Sequence, residues 1–376
     1  MNKQSISHAR TFVTELLAAA DIQINGNRPW DIAVHNDAFY QRLVHDGALG
    51  FGESYVEKWW DTEQIDVLLA RLFNAKLDKR ATLSWRTKLT YLLAKYINFQ
   101  TKHGAKKVAN VHYDLGNDLF EMMLDPSMMY SCAYWKEAEN LTAAQQAKLK
   151  LICDKLQLKP GLRLLDIGCG WGGLAQFAAE HYGVTVVGVT ISKEQAALAK
   201  TRCANLPIEI RLQDYRDINE SFDRIVSVGM FEHVGHLNYN TFMQTADRAL
   251  KQNGLFLLHT IGSNESTTAT NAWINKYIFP NGMLPSIAQI AKSIESRFVM
   301  EDWHNFGPYY DKTLLAWHDN FVKGWDKIAH RYGDTFYRMW RFYLLACAGS
   351  FRARAIQLWQ VVLSKGDLSE VYVAPR

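Results

Sequence analysis

The chain has no stretch approaching the roughly 18 apolar residues that a membrane-spanning helix requires. Its first residues, MNKQSISHAR, carry no apolar signal core. These absences exclude a helical integral membrane protein and lead us to expect a chain that is soluble or lies on a membrane. Cysteine is scarce as well. The five thiols, Cys132, Cys153, Cys169, Cys203 and Cys347, are odd in number and include no C-x-x-C pair. A disulfide framework or a zinc site is therefore not indicated, and reduced thiols in a cytosol are expected. Charge imbalance is also missing. With 42 basic and 38 acidic residues the net charge is +4, too mild to argue for nucleic acid. No internal repeat is visible.

One local absence is more telling. No Asp or Glu occurs between Lys79 and Asn110, while Lys79, Arg80, Arg86, Lys88, Lys95, Lys102, Lys106 and Lys107 do. Trp85, Tyr91, Tyr96 and Phe99 are interleaved with them. A solvated basic surface is the plain alternative, but basic and aromatic residues together suit an anionic lipid headgroup layer.

What is present reads as two kinds of organisation. Residues 1–94 form helical patterns broken by turns at Gly47, Gly50 and Gly52, with Phe12, Leu16, Leu17 and Ala20 on one apolar stripe. This predicts a small helical N-terminal domain, followed by a basic linker over 95–110. From Val111 to Arg376, short apolar strands alternate with helices of about ten residues, the pattern of a doubly wound α/β sheet. QLWQVVLSKG reads as a last strand that closes the sheet antiparallel. Before it, an aromatic insert of about 270–350 reads as a helical cap, and as a lid over a long apolar substrate.

The densest signal is RLLDIGCGWGG, residues 163–173. A strand runs into Gly168, Gly170, Gly172 and Gly173, where positive φ and bare backbone let a nucleotide cofactor approach. The run satisfies G-x-G-x-x-G, so a dinucleotide has to be weighed. That reading wants an acid about 20 residues on, after the second strand, for the ribose. The strand there ends in Thr190, and the nearest acid is Glu194, in the next helix. Asp166 just before the glycines suits a cofactor with a cationic amino-acid portion. S-adenosylmethionine fits better.

The motifs YDLGNDLF, YSCAYW, LLDIGCGWGG, VGVTIS, GMFEHVG, LLHTIG, WINKYIFPNG and the FRAR…IQLWQ stretch, with LGFGESYVEKWWD near the N-terminus, resemble bacterial cyclopropane fatty acid synthases. The related mycolic acid cyclopropane synthases resemble the chain less over 1–94. The resemblance implies a class I S-adenosylmethionine-dependent methyltransferase that adds a methylene unit to the cis double bond of unsaturated phospholipid acyl chains, through a carbocation. It implies cofactor contacts at Tyr130, Ser131, Asp166, Gly168, Gly170, Gly172, Thr190, Gln195, Asp214 and Tyr215. It also implies a bound bicarbonate as base, held by Cys132, Glu232, His259, the Ile261 backbone and Tyr310. Cys347 is a further family-linked thiol, whose plain reading is a buried small residue. Glu232 and His259 follow the fourth and fifth strands, so both are expected in the crevice at the carboxyl ends of the sheet. Glu232, His233 and His236 do not have the H-E-x-x-H spacing, and no metal is expected. A homodimer is expected, with lipid and dimer contacts in the N-terminal domain, cytoplasmic and peripherally held on the inner face of the membrane. Two alternatives stand beside this: a sibling enzyme giving a methyl branch or a hydroxylated product, and a lipid-binding protein with a vestigial cofactor site. The intact Asp166, Gly168, Gly170, Glu232 and His259 argue against the second.

Overall fold

A computed structural model describes residues 3–77, 100, 116–268, 270–366 and 370–376, with side chains from residue 7 onward. Apart from Gln100, the basic segment 79–107 lies outside the described residues. By contacts the chain divides into two compact units. One comprises Met1–Ile97, Ala269–Pro280 and Leu314–Ile356; the other comprises Asn98–Thr268, Asn281–Thr313 and Gln357–Arg376.

The first unit is helical. Its elements are α1 (Lys3–Ala18), α2 (Ala38–Val56) and α3 (Ile65–Asn74), with a two-residue strand pair, Ala33–Val34 against Trp60–Asp61. Val13 and Leu17 of α1 are buried, as is Ala20 just after it, so of the expected stripe Leu17 and Ala20 face the core, Leu16 is half-buried and Phe12 is exposed. Of the three glycines expected to break the second helix, only Gly47 does, at φ 55° and ψ −130°. Gly52 stays helical because it passes the Trp273 ring: a Cβ there would lie 2.4 Å from the indole. Trp273 also meets Phe342 edge-on at 4.9 Å. The flanking aromatic segments of the expected insert thus pack into the helical unit.

The second unit holds the sheet. Its strands are β1 (Arg163–Ile167), β2 (Thr185–Thr190), β3 (Ile208–Leu212), β4 (Phe222–Val228), β5 (Leu250–Ser263), β6 (Val299–Asn305) and β7 (Ile356–Ser364). Their order is β3-β2-β1-β4-β5-β7-β6. β1 pairs parallel with β2 and β4, β2 with β3, and β4 with β5. The chain leaves β1 toward β2 on one side and returns as β4 on the other, so the carboxyl ends of β1 and β4 flank the switch point where such sheets bind ligands. β1, β2 and β4 bury leucine, isoleucine and valine on both faces, the reason they read as continuous apolar runs.

The final strand does run antiparallel, but its antiparallel partner is β6, which the sequence pattern concealed inside the expected helical cap. β6 is the edge, and its sequence VMEDWHN mixes exposed apolar with charged residues, giving no apolar run to read. A register shift falls between Met300 and Asp302. Asp302 is buried there, receiving Lys155 Nζ at 2.8 Å and the Arg376 guanidinium. Among the described residues no helix is long and apolar enough to cross a membrane.

Candidate active site

The glycine turn begins where β1 ends. Gly168, Gly170 and Gly172 all have positive φ, at 86°, 53° and 82°. The amides of Gly168 and Cys169 both donate to the Val189 carbonyl of β2, pinning the start of the turn. The three glycines do different work. A Cβ on Gly168 would strike Met230, and one on Gly172 would sit 3.0 Å from Cys203 Sγ. A Cβ on Gly170 would meet nothing within 4 Å, which leaves open space beside bare backbone. From Gly173 the helix α6 (Gly173–Tyr182) runs back along the sheet.

Asp166, the residue before Ile167 on β1, is almost wholly buried, and its Oδ2 has no partner. Burial pushes its carboxyl up to about 7, against the pull of the Lys148 ammonium. On the β2 side, Thr190 donates its hydroxyl to Gln195 Oε1 at 3.0 Å and accepts the Ser192 amide at 3.2 Å. Ser192 caps α7 (Lys193–Arg202). After β3, Asp214 is held on both oxygens by the Arg216 guanidinium at 2.6–2.8 Å. Tyr215 is packed in the core against Phe242 at 5.1 Å. Tyr130 meets Phe120 edge-on at 5.2 Å, and the Trp171 indole donates to Asn117 at 2.9 Å.

The acid and the histidine come together through backbone pairing. Val228 of β4 is opposite His259 of β5, and the Gly229 amide donates to the His259 carbonyl at 2.9 Å. Glu232 follows in the short turn after β4. Its Oε1 accepts the Ile261 amide at 2.7 Å, and its carbonyl accepts the Met283 amide. The Ile261 amide is therefore engaged in holding Glu232. The other oxygen, Oε2, is buried without a partner, and burial pushes the carboxyl up to about 7. His259 is buried, with Nδ1 3.3 Å from Gln360 Nε2 and Nε2 without a partner. Burial, with Lys148 and Lys155 adding to it, holds its pKa well below the usual range, so the ring is neutral.

Cys132 is fully buried, and burial raises its thiol far above the usual value. The strip that carries it is fixed from two sides. Gln145 donates to the carbonyls of Met129 and Ser131, and Thr313 Oγ1 accepts from the Ala133 amide at 3.1 Å and the Trp135 indole at 2.9 Å. Thr313 lies one turn after Tyr310 on α11 (Pro308–Gly324), on the same face of that helix. Tyr134 meets Phe306 and Tyr309 edge-on at 5.3 and 5.5 Å. Cys347 belongs to the helical unit, on α12 (Ala329–Arg352). Burial pushes that thiol up to about 12, so it is a neutral thiol.

Sequence reasoning missed Gln145, Lys148, Thr313 and Gln360, polar side chains sealed behind the site. Gln145 and Lys148 gave one usable signal. Both fall on the buried face of α5 (Leu141–Lys155), where an amphipathic helix carries apolar residues.

The strand order and the glycine turn before α6 define a class I S-adenosylmethionine-dependent methyltransferase fold. The comparisons agree. A family model described as mycolic acid cyclopropane synthetase matches residues 100–361. The chain is 57% identical over 360 residues to the cyclopropane-fatty-acyl-phospholipid synthase of Escherichia coli (strain K12), covering 96% of this chain and 94% of that one. It is 37% identical to cyclopropane mycolic acid synthase 1 of Mycobacterium tuberculosis (strain ATCC 25177 / H37Ra), covering 68% of this chain and 97% of that one. Among solved structures, the cyclopropane synthase MmaA2 from Mycobacterium tuberculosis aligns with a TM-score of 0.65 at 34% identity, over 69% of this chain and 98% of that one. Mycolic acid cyclopropane synthase CmaA1, solved with SAH and CTAB, aligns with the same TM-score at 36% identity, over 69% of this chain and 98% of that one. The chain belongs to the mycolic acid cyclopropane synthetase family, and it is a homologue of the cyclopropane-fatty-acyl-phospholipid synthases within it.

Two predictions follow from the geometry. Gly170→Val requires a β-branched residue at φ 53° and fills the open space, so S-adenosylmethionine binding falls below detection in a folded variant. Unchanged affinity in calorimetric titration would mean that the nucleotide lies elsewhere. The second prediction concerns pH. Asp166 and Glu232 hold their protons to about 7 in the fold, against ordinary values of 3.8 and 4.5. Between those limits the folded chain binds more protons than the unfolded one, so stability falls as pH rises and levels off above about 7. Asp166→Asn and Glu232→Gln each remove their own share of that slope, gaining on the order of 3–4 kcal/mol over wild type at pH 8 relative to the same comparison near pH 4. Thermal unfolding at the two pH values reads it, and an equal difference at both refutes it.

Proposed function

We propose that the chain transfers a methylene unit from S-adenosylmethionine to the cis double bond of an unsaturated phospholipid acyl chain, closing a cyclopropane ring, with a bicarbonate ion as base. One observation carries this reading: Glu232 Oε2 and His259 Nε2 are buried polar atoms without partners, on residues joined by the β4–β5 pairing. Buried polar groups are ordinarily satisfied, so two such atoms at the carboxyl ends of adjacent parallel strands call for a small polar ligand. The likeness to the cyclopropane-fatty-acyl-phospholipid synthase supports the lipid substrate.

S-adenosylmethionine supplies an electrophilic sulfonium methyl, and bicarbonate supplies a proton acceptor. The chain's own residues do the rest. Gly170 leaves bare backbone for the cofactor, and Asp166 offers a carboxylate oxygen to its cationic amino-acid portion. Glu232, fixed by the Ile261 amide through Oε1, keeps Oε2 to accept an O–H. A neutral His259, with Gln360 Nε2 donating to Nδ1, carries its proton on Nε2 and donates from there. Cys132 stays protonated and adds no competing nucleophile. An alkene is a weak nucleophile, so alignment of double bond and methyl supplies much of the rate. The aromatic group of Tyr134, Phe306 and Tyr309, with Tyr310 beside it in sequence, favours a dry site in which ring faces stabilise a cation on the substrate. The acid-free, aromatic-rich sequence 79–110 supports a peripheral site of action on an anionic membrane face, with the enzyme itself in the cytoplasm.

Vesicles of unsaturated phospholipid incubated with protein and S-adenosylmethionine should yield lipid heavier by one methylene unit, with the olefin lost. A methyl-branched or hydroxylated product overturns the reading in favour of a sibling chemistry. In the same assay Glu232→Gln should lower turnover by roughly 100-fold or more while changing S-adenosylmethionine affinity little, since the side chain acts on the base. Near-normal turnover removes Glu232 from that role. Replacing Lys102, Lys106 and Lys107 by Gln should weaken co-sedimentation with anionic vesicles most at low salt. Salt curves identical to wild type would remove the electrostatic contribution.

A further inference from the structure

The strip from Met129 to Trp135 is largely buried, yet it belongs to no helix or strand. Its backbone polar groups have no ladder to join and must find partners one by one. α5 supplies them on one side. Gln145 Nε2 donates to the carbonyls of Met129 and Ser131 at 3.2 and 2.9 Å, Lys148 Nζ donates to Ser131 Oγ at 2.9 Å, and the Ala144 carbonyl accepts the Tyr134 amide at 3.0 Å. On the other side stands one hydroxyl. Thr313 is fully buried on α11, and its Oγ1 accepts the Ala133 amide at 3.1 Å and the Trp135 indole at 2.9 Å while donating to the Tyr309 carbonyl at 2.9 Å. A hydroxyl has one proton and two lone pairs, so Thr313 is saturated.

We propose that Thr313 is a positioning residue for the anion that serves as base: its hydroxyl holds the Cys132 strip against the helical turn that carries Tyr310, and so sets the spacing of those two residues. Cys132 lies between Ser131, which α5 grips, and Ala133, which Thr313 grips. Tyr310 lies one turn before Thr313 on the same face of α11. Labour along the strip is divided. The cofactor end, Tyr130 and Ser131, is bounded by the α5 contacts, and the anion end by Thr313. A valine at 313 has nearly the shape of threonine but accepts nothing, which leaves the Ala133 amide and the Trp135 indole without their acceptor. The strip then shifts to regain those bonds, and Cys132 moves with it. The inference rests on the reading of Cys132 and Tyr310 as holders of bicarbonate, and the experiment separates the two.

Turnover of the full-length protein on vesicles of unsaturated phospholipid is measured at one fixed pH in buffer depleted of carbon dioxide, with bicarbonate added back in steps. S-adenosylmethionine affinity is measured alongside by calorimetry. Wild type should show a saturable dependence on bicarbonate. Thr313→Val should raise the half-saturating bicarbonate concentration roughly tenfold or more, while S-adenosylmethionine affinity stays within about twofold of wild type. Thr313→Ser, which keeps all three bonds, should return the wild-type bicarbonate dependence. A wild type indifferent to bicarbonate removes the reading of the base, and the proposal falls with it. Where wild type does respond, a Thr313→Val variant whose half-saturation matches wild type overturns the proposal alone. So does one whose cofactor affinity falls in step with its bicarbonate response, since Thr313 is then only a packing residue. Should Thr313→Val not fold, Trp135→Phe carries the test by removing one of the two donors. Its half-saturation should rise roughly threefold at unchanged cofactor affinity, and an unmoved value overturns the proposal.

Discussion

The Ile261 amide donating to Glu232 is the contact on which the candidate site depends. A carboxylate sealed from water costs several kcal/mol unless something donates to it, and neutralises itself otherwise. The amide comes from β5, two residues past His259, and the β4–β5 register fixes the distance between them. That bond holds one oxygen of Glu232 and leaves the other bare. Acid and imidazole thus share one frame made of backbone, which tolerates little drift.

Charge around this frame is sparse and arranged. Burial holds Asp166 and Glu232 near 7 and His259 neutral, so the ionic state of the site changes within the physiological range. Lys148 and Lys155 are fully buried cations in the same unit. An environment that destabilises its own ionised acids is of the kind found at functional sites.

Much of this was legible from residue order because the relevant physics is local. Parallel strands buried on both faces must be apolar throughout, and VTVVGV or LFLLHT admits few other readings. The glycine turn is equally local, since positive φ restricts residue choice. The hidden parts are those where tertiary context overrides pattern. β6 has no apolar run because one side of it is open, and its inward acid looks like surface. Lys148 and Gln145 went unread, because burial of such polar side chains depends on partners outside their own helix. Gly50 and Gly52 looked like helix breakers, whereas Gly52 makes room for a tryptophan more than 200 residues away. Asp214 shows the same limit: the sequence gives its position after β3 but not that Arg216 occupies both its oxygens.

The edge strand β6 has one more consequence. An exposed strand edge offers unpaired amides and carbonyls to any passing chain, the usual beginning of aggregation. β6 carries outward Val299 and Met300, which would favour such growth. The register shift after Met300 bends the strand, and Asp302 turns a carboxylate inward onto Lys155 and Arg376. A newcomer strand would have to match that irregular backbone beside an acid already committed to two cations. The edge is thereby blunted, and the sheet is kept from becoming a template for neighbouring chains.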